Sequence, residues 1–274
     1  MTNTDAPIGV YDSGVGGLSV LRAIHSQLPF EATLYFADQA KVPYGERPLA
    51  EVRLLAEGVA RMMMEKGAKL IVIACNTASA AALKHLRALY PEIPFVGMEP
   101  AVKPAAEQTF SGKVGVLATP STFQGELYAS VVERFAQDVQ VFQATCPGLV
   151  RQIEKGFLET PKTRRILQEA IKPMMEEGVD TFVMGCTHFP FVIPLIRKIA
   201  GVDVRVIDPA PAIARQTERL LSQLDLLRSS STKPTHHYFT SGDPDRFSRS
   251  LEQLLGVKTQ AEKWHWDGNL LRSG

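Results

Sequence analysis

Leu70-Ile-Val-Ile-Ala-Cys-Asn-Thr-Ala-Ser-Ala-Ala-Ala-Leu83 changes character at its midpoint. Leu70–Ala74 is compact, branched and apolar, which is how a strand buried on both faces reads. Thr77–Leu89 reads as a helix, and its alanine-rich start from Ser79 to Leu83 suits close packing on a sheet. Cys75 stands at the junction, at a strand end.

Outward from this stretch the same alternation continues. Pro7–Tyr11, Thr33–Ala37 and Pro94–Met98 read as further buried strands, and Leu18–Gln27 and Pro48–Lys66 as helices. In the second helix Leu49, Val52, Leu55 or Ala56, Val59 and Met62 or Met63 recur at helical steps. The pattern then restarts. Strands are expected at Lys113–Ala118, Val139–Gln143, Thr181–Met184 and Val204–Ile207, and helices at Ser121–Ala136, Thr160–Glu177 and Phe191–Ala200. Gly9-Val-Tyr-Asp-Ser aligns with Gly115-Val-Leu-Ala-Thr, and Ile71-Val-Ile-Ala-Cys75 with Phe182-Val-Met-Gly-Cys186, at nearly one offset. An internal duplication is therefore expected. The fold class that follows is α/β, with two similar lobes, each a mostly parallel sheet flanked by helices, related by a pseudo-twofold with the site in the cleft between them. Pro-rich stretches at Glu99–Pro104 and Asp208–Pro211 mark the lobe boundaries. Residues 1–98 with 208–274 make the first lobe and 99–207 the second, the chain rejoining the first lobe after the polar Ser229-Ser-Ser-Thr-Lys-Pro234 loop.

Composition excludes several classes. The 274 residues suit one large domain or two modest ones at roughly 150 residues each. Thirty basic residues stand against 29 acidic ones, a formal net charge of +1, which argues against a nucleic-acid or anionic-membrane partner held by bulk electrostatics. No apolar run approaches the ~18 residues that span a bilayer. The start, Met1-Thr-Asn-Thr-Asp-Ala-Pro7, lacks the basic and apolar stretches of a signal peptide, so a cytoplasmic location is expected. The three cysteines, Cys75, Cys146 and Cys186, are too sparse for a disulfide framework and lack zinc-ligand spacing; neither a metal nor a cofactor is expected.

Each cysteine has two readings, a small buried hydrophobe or a working thiol. Cys75 precedes Asn76-Thr77-Ala78-Ser79, which offers an N-cap; a thiol at a helix N-terminus is expected to have a lowered pKa. Cys186 sits in Gly185-Cys-Thr-His-Phe-Pro190, again at a strand end, with His188 close enough in sequence to hold or receive the sulfur's proton. Cys146, followed by Pro147 and Gly148, has no counterpart and reads as structural. Asp12-Ser-Gly-Val-Gly-Gly17 follows the first strand and resembles a phosphate loop. Ser19 stands where the third glycine belongs, however, and Asp12 would repel a pyrophosphate. The glycines suit either a tight turn or a loop holding a small ligand; an acid with a hydroxyl suits one carrying both ammonium and carboxylate. Tyr44-Gly45 is placed to close over the site, Lys41 and Arg47 read equally as surface charges, and Thr119, Ser121 and Thr122 as ligands or helix caps. Two thiols without a metal motif point to proton transfer on carbon, one thiolate removing a proton while the other thiol returns one on the opposite face. Amides of Asn76-Thr77 and Thr187-His188, at two expected helix N-termini, are the donors for developing enolate charge.

With these motifs in hand, the chain resembles the glutamate racemases, within the cofactor-independent aspartate/glutamate racemase superfamily. The resemblance rests on Gly9-Val-Tyr-Asp-Ser-Gly-Val-Gly-Gly-Leu-Ser-Val20, Pro43-Tyr-Gly-Glu-Arg47, Ala74-Cys-Asn-Thr-Ala-Ser-Ala80 and Gly185-Cys-Thr-His-Phe-Pro190. It implies Cys75 and Cys186 as the catalytic acid/bases, Cys75 associated with D-glutamate and Cys186 with L-glutamate, with Asp12 and His188 assisting. Glu154 fits a further acid in Cys146-Pro-Gly-Leu-Val-Arg-Gln-Ile-Glu154, where Gly148 and Arg151-Gln152 depart from the family's more apolar or Pro residues. Asp12, Ser13, Pro43, Tyr44, Gly45, Asn76, Thr77, Thr119, Thr122, Thr187 and His188 match substrate-binding positions. The implied role is supply of D-glutamate for peptidoglycan in a bacterial cytoplasm. The implied partner is the small-molecule substrate, L- or D-glutamate, with neither nucleic acid nor membrane; a homodimer is compatible with the sequence, which does not choose an oligomeric state. Aspartate racemases usually carry Glu where this chain has His188, which favours glutamate. The alternatives are an aspartate racemase and, in a different class, a non-catalytic two-lobed amino-acid-binding regulator.

Overall fold

Ile8–Asp12 forms strand β1, and all five residues are buried. A strand covered on both faces needs helices on both sides, and the chain supplies them by alternation. Helix α1 (Leu18–Gln27), strand β2 (Thr33–Ala37), helix α2 (Leu49–Glu65), strand β3 (Leu70–Ile73), helix α3 (Asn76–Leu89) and strand β4 (Phe95–Gly97) follow. Next come α4 (Val102–Gln108), β5 (Lys113–Ala118), α5 (Pro120–Phe123), α6 (Glu126–Phe135), β6 (Gln140–Ala144), α7 (Leu149–Glu154) and α8 (Pro161–Glu176). Strand β7 (Thr181–Gly185), a 3-10 turn at Phe189–Val192, α9 (Ile193–Ala200), β8 (Arg205–Ile207) and α10 (Ala210–Gln223) complete the second run. The chain ends with β9 (His236–Thr240), α11 (Pro244–Leu255), β10 (Glu262–Asp267) and β11 (Leu270–Ser273). The computed structural model describes residues 4–230 and 232–274; Met1–Asn3 of the N-terminal stretch and Ser231 of the polar loop lie outside the described residues.

Two sheets result. The first has seven strands in the order β11-β10-β9-β2-β1-β3-β4, and the second four in the order β6-β5-β7-β8. Neighbouring strands are parallel except β10 and β11, which form an antiparallel hairpin. The run β2-β1-β3-β4 is repeated by β6-β5-β7-β8. The register repeats too: Gly9 lies opposite Ile71 in one sheet and Gly115 opposite Phe182 in the other, the same residues that align in sequence. In each sheet the strand order reverses between its first and third strands, β1 and β3 or β5 and β7. Ligands of open α/β sheets bind outside the carboxyl ends of strands at such a point. Asp12 and Cys75 lie at one reversal, Thr119 and Cys186 at the other.

Packing joins the halves. One continuous apolar cluster runs from Ile8, Val10, Leu18 and Ile24 to Leu117, Leu149, Phe182 and Leu195. Separate clusters lie under α2 and α3 in one half and around Val102, Val114 and Tyr128 in the other. Burying each such Leu, Ile or Phe contributes about 1.5–3 kcal/mol, so the shared cluster binds the two sheets into one unit. Ser79 explains a polar residue in an alanine-rich helix: its hydroxyl donates to the Ile73 carbonyl (3.0 Å) and accepts the Met98 N–H (2.8 Å), pinning α3 to β3 and to the chain after β4.

Two expectations change. Ser121–Ala136 is not one helix but α5 and α6, broken at Gly125. A β-carbon there would lie 2.7 Å from that of Ala80 on α3, so contact with the other half sets the break. Phe191–Ala200 begins as the 3-10 turn, and regular helix starts only at Ile193.

Candidate active site between the sheets

Asp12 closes β1 and is fully buried. Its Oδ2 accepts the Gly14 N–H (2.9 Å), and its Oδ1 accepts the hydroxyl of Thr187 (3.0 Å), which follows β7 in the other sheet. Burial pushes the Asp12 carboxyl up and the Glu154 charge adds to this, while His188 and the Gly14 and Thr187 donors pull it partly back. The loop from Ser13 to Gly17 then turns directly into α1, and Tyr35 steadies it by donating its hydroxyl to the Gly14 carbonyl (2.8 Å).

Cys75 is itself the N-cap of α3, its Sγ accepting the Ala78 N–H at 3.5 Å; Asn76 and Thr77 are already helical. The helix end acts on the sulfur as expected, yet the direction of the pKa is opposite. Burial and then the Asp12 charge push the Cys75 thiol well up, against the Ala78 and Ser13 N–H groups that lower it. Desolvation of a thiolate outweighs one helix terminus here. Cys186 lies with its Sγ 3.8 Å from His188 Nδ1. The Thr187-His188 segment leads into the 3-10 turn rather than an α-helix, so that expected helix N-terminus is absent. Cys146 is buried, and burial, then Cys186, pushes its thiol up to about 12, in keeping with a structural residue.

Behind Cys186 lies a buried ion pair. His188 Nε2 meets Glu154 Oε1 at 2.7 Å, with both side chains almost wholly enclosed. The same Oε1 accepts the Val15 N–H (2.7 Å), and Oε2 accepts the Gln39 amide (2.9 Å). Burial alone would lower His188, but its contacts with Cys186 and Glu154 outweigh that and hold the imidazole well above its ordinary 6.5. Burial alone would raise Glu154, but His188, Val15 and Gln39 hold it below its ordinary 4.5. Both directions describe an imidazolium held between a carboxylate and a cysteine sulfur.

The opposite wall comes from Pro43-Tyr44-Gly45 and from the end of β5. Hydroxyls of Thr77, Thr119 and Thr122 form a chain, 3.0 Å and then 2.9 Å apart, which spans the two halves. Thr119 and Thr122 therefore do not cap the following helix; Thr119 occupies the N-cap position without a side-chain capping bond. Ser121 instead donates to the carbonyls of Gly45 (2.9 Å) and Arg47 (3.2 Å). Arg47 pairs with Glu51 and donates to the Lys41 carbonyl (2.7 Å), bracing the turn from outside.

Ser13, Pro43, Tyr44, Gly45, Cys75, Asn76, Thr77, Thr119, Cys186, Thr187 and His188 enclose one cavity of about 10 Å³. That volume holds about one water, too little for an amino acid with the side chains as they stand. Asp12 and Glu154 stand directly behind this wall, and Thr122 behind Thr119. The buried side-chain Nδ2 and Oδ1 of Asn76 have no hydrogen-bond partner among the described residues. Val150 also lines the cavity and was not expected; it lies one turn before Glu154 in α7. Gln39, which holds Glu154, was likewise missed. A larger groove of about 460 Å³ between β6 and α8 holds neither Cys75 nor Cys186.

Residues 8–217 match the Asp/Glu/Hydantoin racemase family. A glutamate racemase of Pseudomonas paraeruginosa is 48% identical over 263 residues, covering 96% of this chain and 99% of its own. Among solved structures, a glutamate racemase isoform of Bacillus anthracis superposes with a TM-score of 0.88 at 32% identity, over 98% of this chain and 100% of its own. A Francisella tularensis glutamate racemase solved in complex with D-glutamate superposes with a TM-score of 0.82 at 30% identity, over 94% of this chain and 97% of its own. Two paired strand ends, a cysteine on each, and relatives matched from end to end agree: the chain belongs to the Asp/Glu/Hydantoin racemase family.

Proposed function

We propose that the chain interconverts L- and D-glutamate by proton transfer at Cα, with Cys75 and Cys186 as the two acid/bases. The observation that carries this reading is one small cavity lined by two free thiols at equivalent strand ends of a repeated sheet. Glutamate, rather than aspartate, is favoured by His188 and by relatives of nearly full coverage named glutamate racemase.

In one direction the Cys186 thiolate takes the α-proton, the C–H electron pair passes into the substrate carboxylate as an enediolate, and the Cys75 thiol returns its proton to the opposite face. In the other direction the roles exchange. The raised Cys75 pKa suits the acid of the first direction. Asp12 raises that thiol by its charge, so an ammonium group arriving beside Asp12 offsets the effect and eases ionisation. The unpartnered Asn76 amide supplies a donor and an acceptor to a ligand, and the amides opening α3 face developing negative charge. The division of the chain into 1–98 with 208–274 and 99–207 is supported by strand membership, since β9–β11 continue the first sheet. Supply of D-glutamate for peptidoglycan in a bacterial cytoplasm rests on the same family likeness; among the described residues no helix is long and apolar enough to cross a membrane.

The test is circular dichroism of each glutamate enantiomer with purified protein, no added cofactor and chelator present, then proton NMR in D2O. Signal is expected to decay from both enantiomers. In D2O the enantiomer formed should carry deuterium at Cα while the unreacted one keeps protium. Decay with aspartate alone would keep the chemistry and overturn the substrate; binding without decay would favour the regulator.

Gly16 offers a subtler check. A β-carbon there would stand 2.5 Å from His188 Nδ1 and 2.7 Å from Thr187 Oγ1. His188 is held by Glu154 and cannot swing aside without breaking the buried pair. Gly16→Ala should therefore cut kcat by about 10²-fold, the scale set by a 1 Å misplacement of catalytic groups. A kcat within a factor of two of the parent would show that His188 has room to move.

A further inference from the structure

The C-terminal hairpin reaches the active site through one buried carboxylate. Asp38 follows β2 and is fully buried, with no exposed edge. Its Oδ1 accepts the Ser241 hydroxyl (2.6 Å) and the Trp266 indole N–H (2.8 Å), and its Oδ2 accepts the Tyr44 hydroxyl (2.6 Å). Ser241 follows β9, and Trp266 stands on β10, beyond the two residues of that strand, Glu262 and Lys263, that pair with β9. Burial pushes the Asp38 carboxyl up, and the Ser241, Tyr44 and Trp266 groups and the Lys41 charge pull it partly back.

Tyr44 lines the cavity, and its hydroxyl is held by Asp38. Gly45, the next residue, faces Thr119 of the other half so closely that a β-carbon would lie 2.5 Å from the threonine side chain. The turn is therefore gripped on one side by Asp38 and pressed on the other by Thr119. Trp266 has been fitted to its place as well. Its ring rests on Gly58 in the interior of α2, where a β-carbon would meet the indole at 2.6 Å. Glycine inside a helix weakens it relative to alanine, and the close approach of Trp266 accounts for its presence.

We propose that Trp266 and Ser241 are positioning residues for substrate binding, acting through Asp38 on Tyr44. The hairpin thus completes the active-site wall rather than merely ending the sheet. Substrate binding is where the effect falls, because Asp38 grips the turn that lines the cavity and touches neither cysteine. The proposal rests on the racemase reading for its kinetic readout only.

Trp266→Phe keeps the ring and removes the N–H. In the full chain it should raise KM for both glutamate enantiomers about tenfold, the upper end for loss of one buried hydrogen bond, with kcat within about twofold. Gly58→Ala, which favours the helix but displaces the indole, should reproduce the KM effect. In a Tyr44→Phe background, where the hydroxyl is already gone, Trp266→Phe should add nothing to KM. Amide hydrogen exchange supplies a readout independent of substrate: residues 42–47 should lose protection in Trp266→Phe while residues 262–273 keep theirs. Unchanged KM and unchanged exchange at 42–47 would overturn the proposal, as would equal loss of protection in the hairpin itself, which would mark a purely structural role. If the parent protein fails to racemise glutamate, the functional reading falls, and the exchange experiment still decides this one.

Discussion

Cys186→Ser and Cys75→Ser are each expected to lose racemisation by about 10³-fold or more, the upper part of the range for a positioned acid/base. Serine preserves the shape of either side chain but is a far weaker acid than a thiol, so the half of the proton exchange that used the replaced thiol is lost at neutral pH and racemisation, which needs both, fails. Because L- and D-glutamate have equal free energies in water, the equilibrium constant is unity. The kcat/KM values in the two directions must then fall together in both variants, whichever thiol is lost. The variants separate only in isotope exchange. Cys186→Ser keeps Cys75, which the family likeness pairs with D-glutamate, and should slowly wash deuterium from D2O into D-glutamate alone. Cys75→Ser should do so with L-glutamate alone. The exchange will be slow in both, since Cys75 and Cys186 are each buried from the solvent that must renew the thiol proton. Racemisation within tenfold of the parent in either variant would remove that cysteine from the chemistry.

How far these features can be read from the sequence depends on whether their causes are local. Thr33–Ala37, Lys113–Ala118 and Leu18–Gln27 are elements with the boundaries their patterns suggest, because buried parallel strands and amphipathic helices write their environment into consecutive residues. The duplication was legible for the same reason, as β1 and β5 occupy equivalent central places. Features imposed across the chain were not. The break at Gly125 depends on Ala80, and the pKa of Cys75 depends on burial and on Asp12 rather than on the helix it caps. Likewise, Asp38 stands in sequence about where a ribose-binding acid would, and its actual partners, Ser241 and Trp266, lie more than two hundred residues away. The tail after Leu226 reads poorly because the edge strand β11 and its neighbour β10 are half-exposed and have short, mixed side-chain patterns.

Glu154→Gln is expected to have the second-largest effect, and its sign can be worked out from the buried pair. Glu154 holds His188, Val15 and Gln39 with two oxygens, whereas glutamine offers one acceptor and no charge. Removing one partner of a buried ion pair costs about 3–5 kcal/mol, because the other charge is left uncompensated. His188 sheds part of that cost by losing its proton at lower pH. Its raised pKa falls part of the way, since burial, which lowers it, remains and the Glu154 contacts are gone, while the Cys186 contacts still raise it. The folding contribution follows the same logic. A raised His188 stabilises the parent fully below 6.5 and progressively less as pH climbs through its folded value. A lowered Glu154 stabilises it above 4.5 and progressively less as pH falls through its own folded value. The parent's extra stability over Glu154→Gln should therefore be greatest between those limits and shrink on both sides, measured as the difference in Tm across pH. Activity should decline about 10²-fold at neutral pH, within the range for a lost acid/base arrangement, and the alkaline limb of kcat/KM should move to lower pH as His188 deprotonates earlier. A parallel drop at all pH values, with the limb unmoved, would mean that Glu154 places the loop through Val15 and Gln39 and has no part in keeping the imidazole charged beside Cys186.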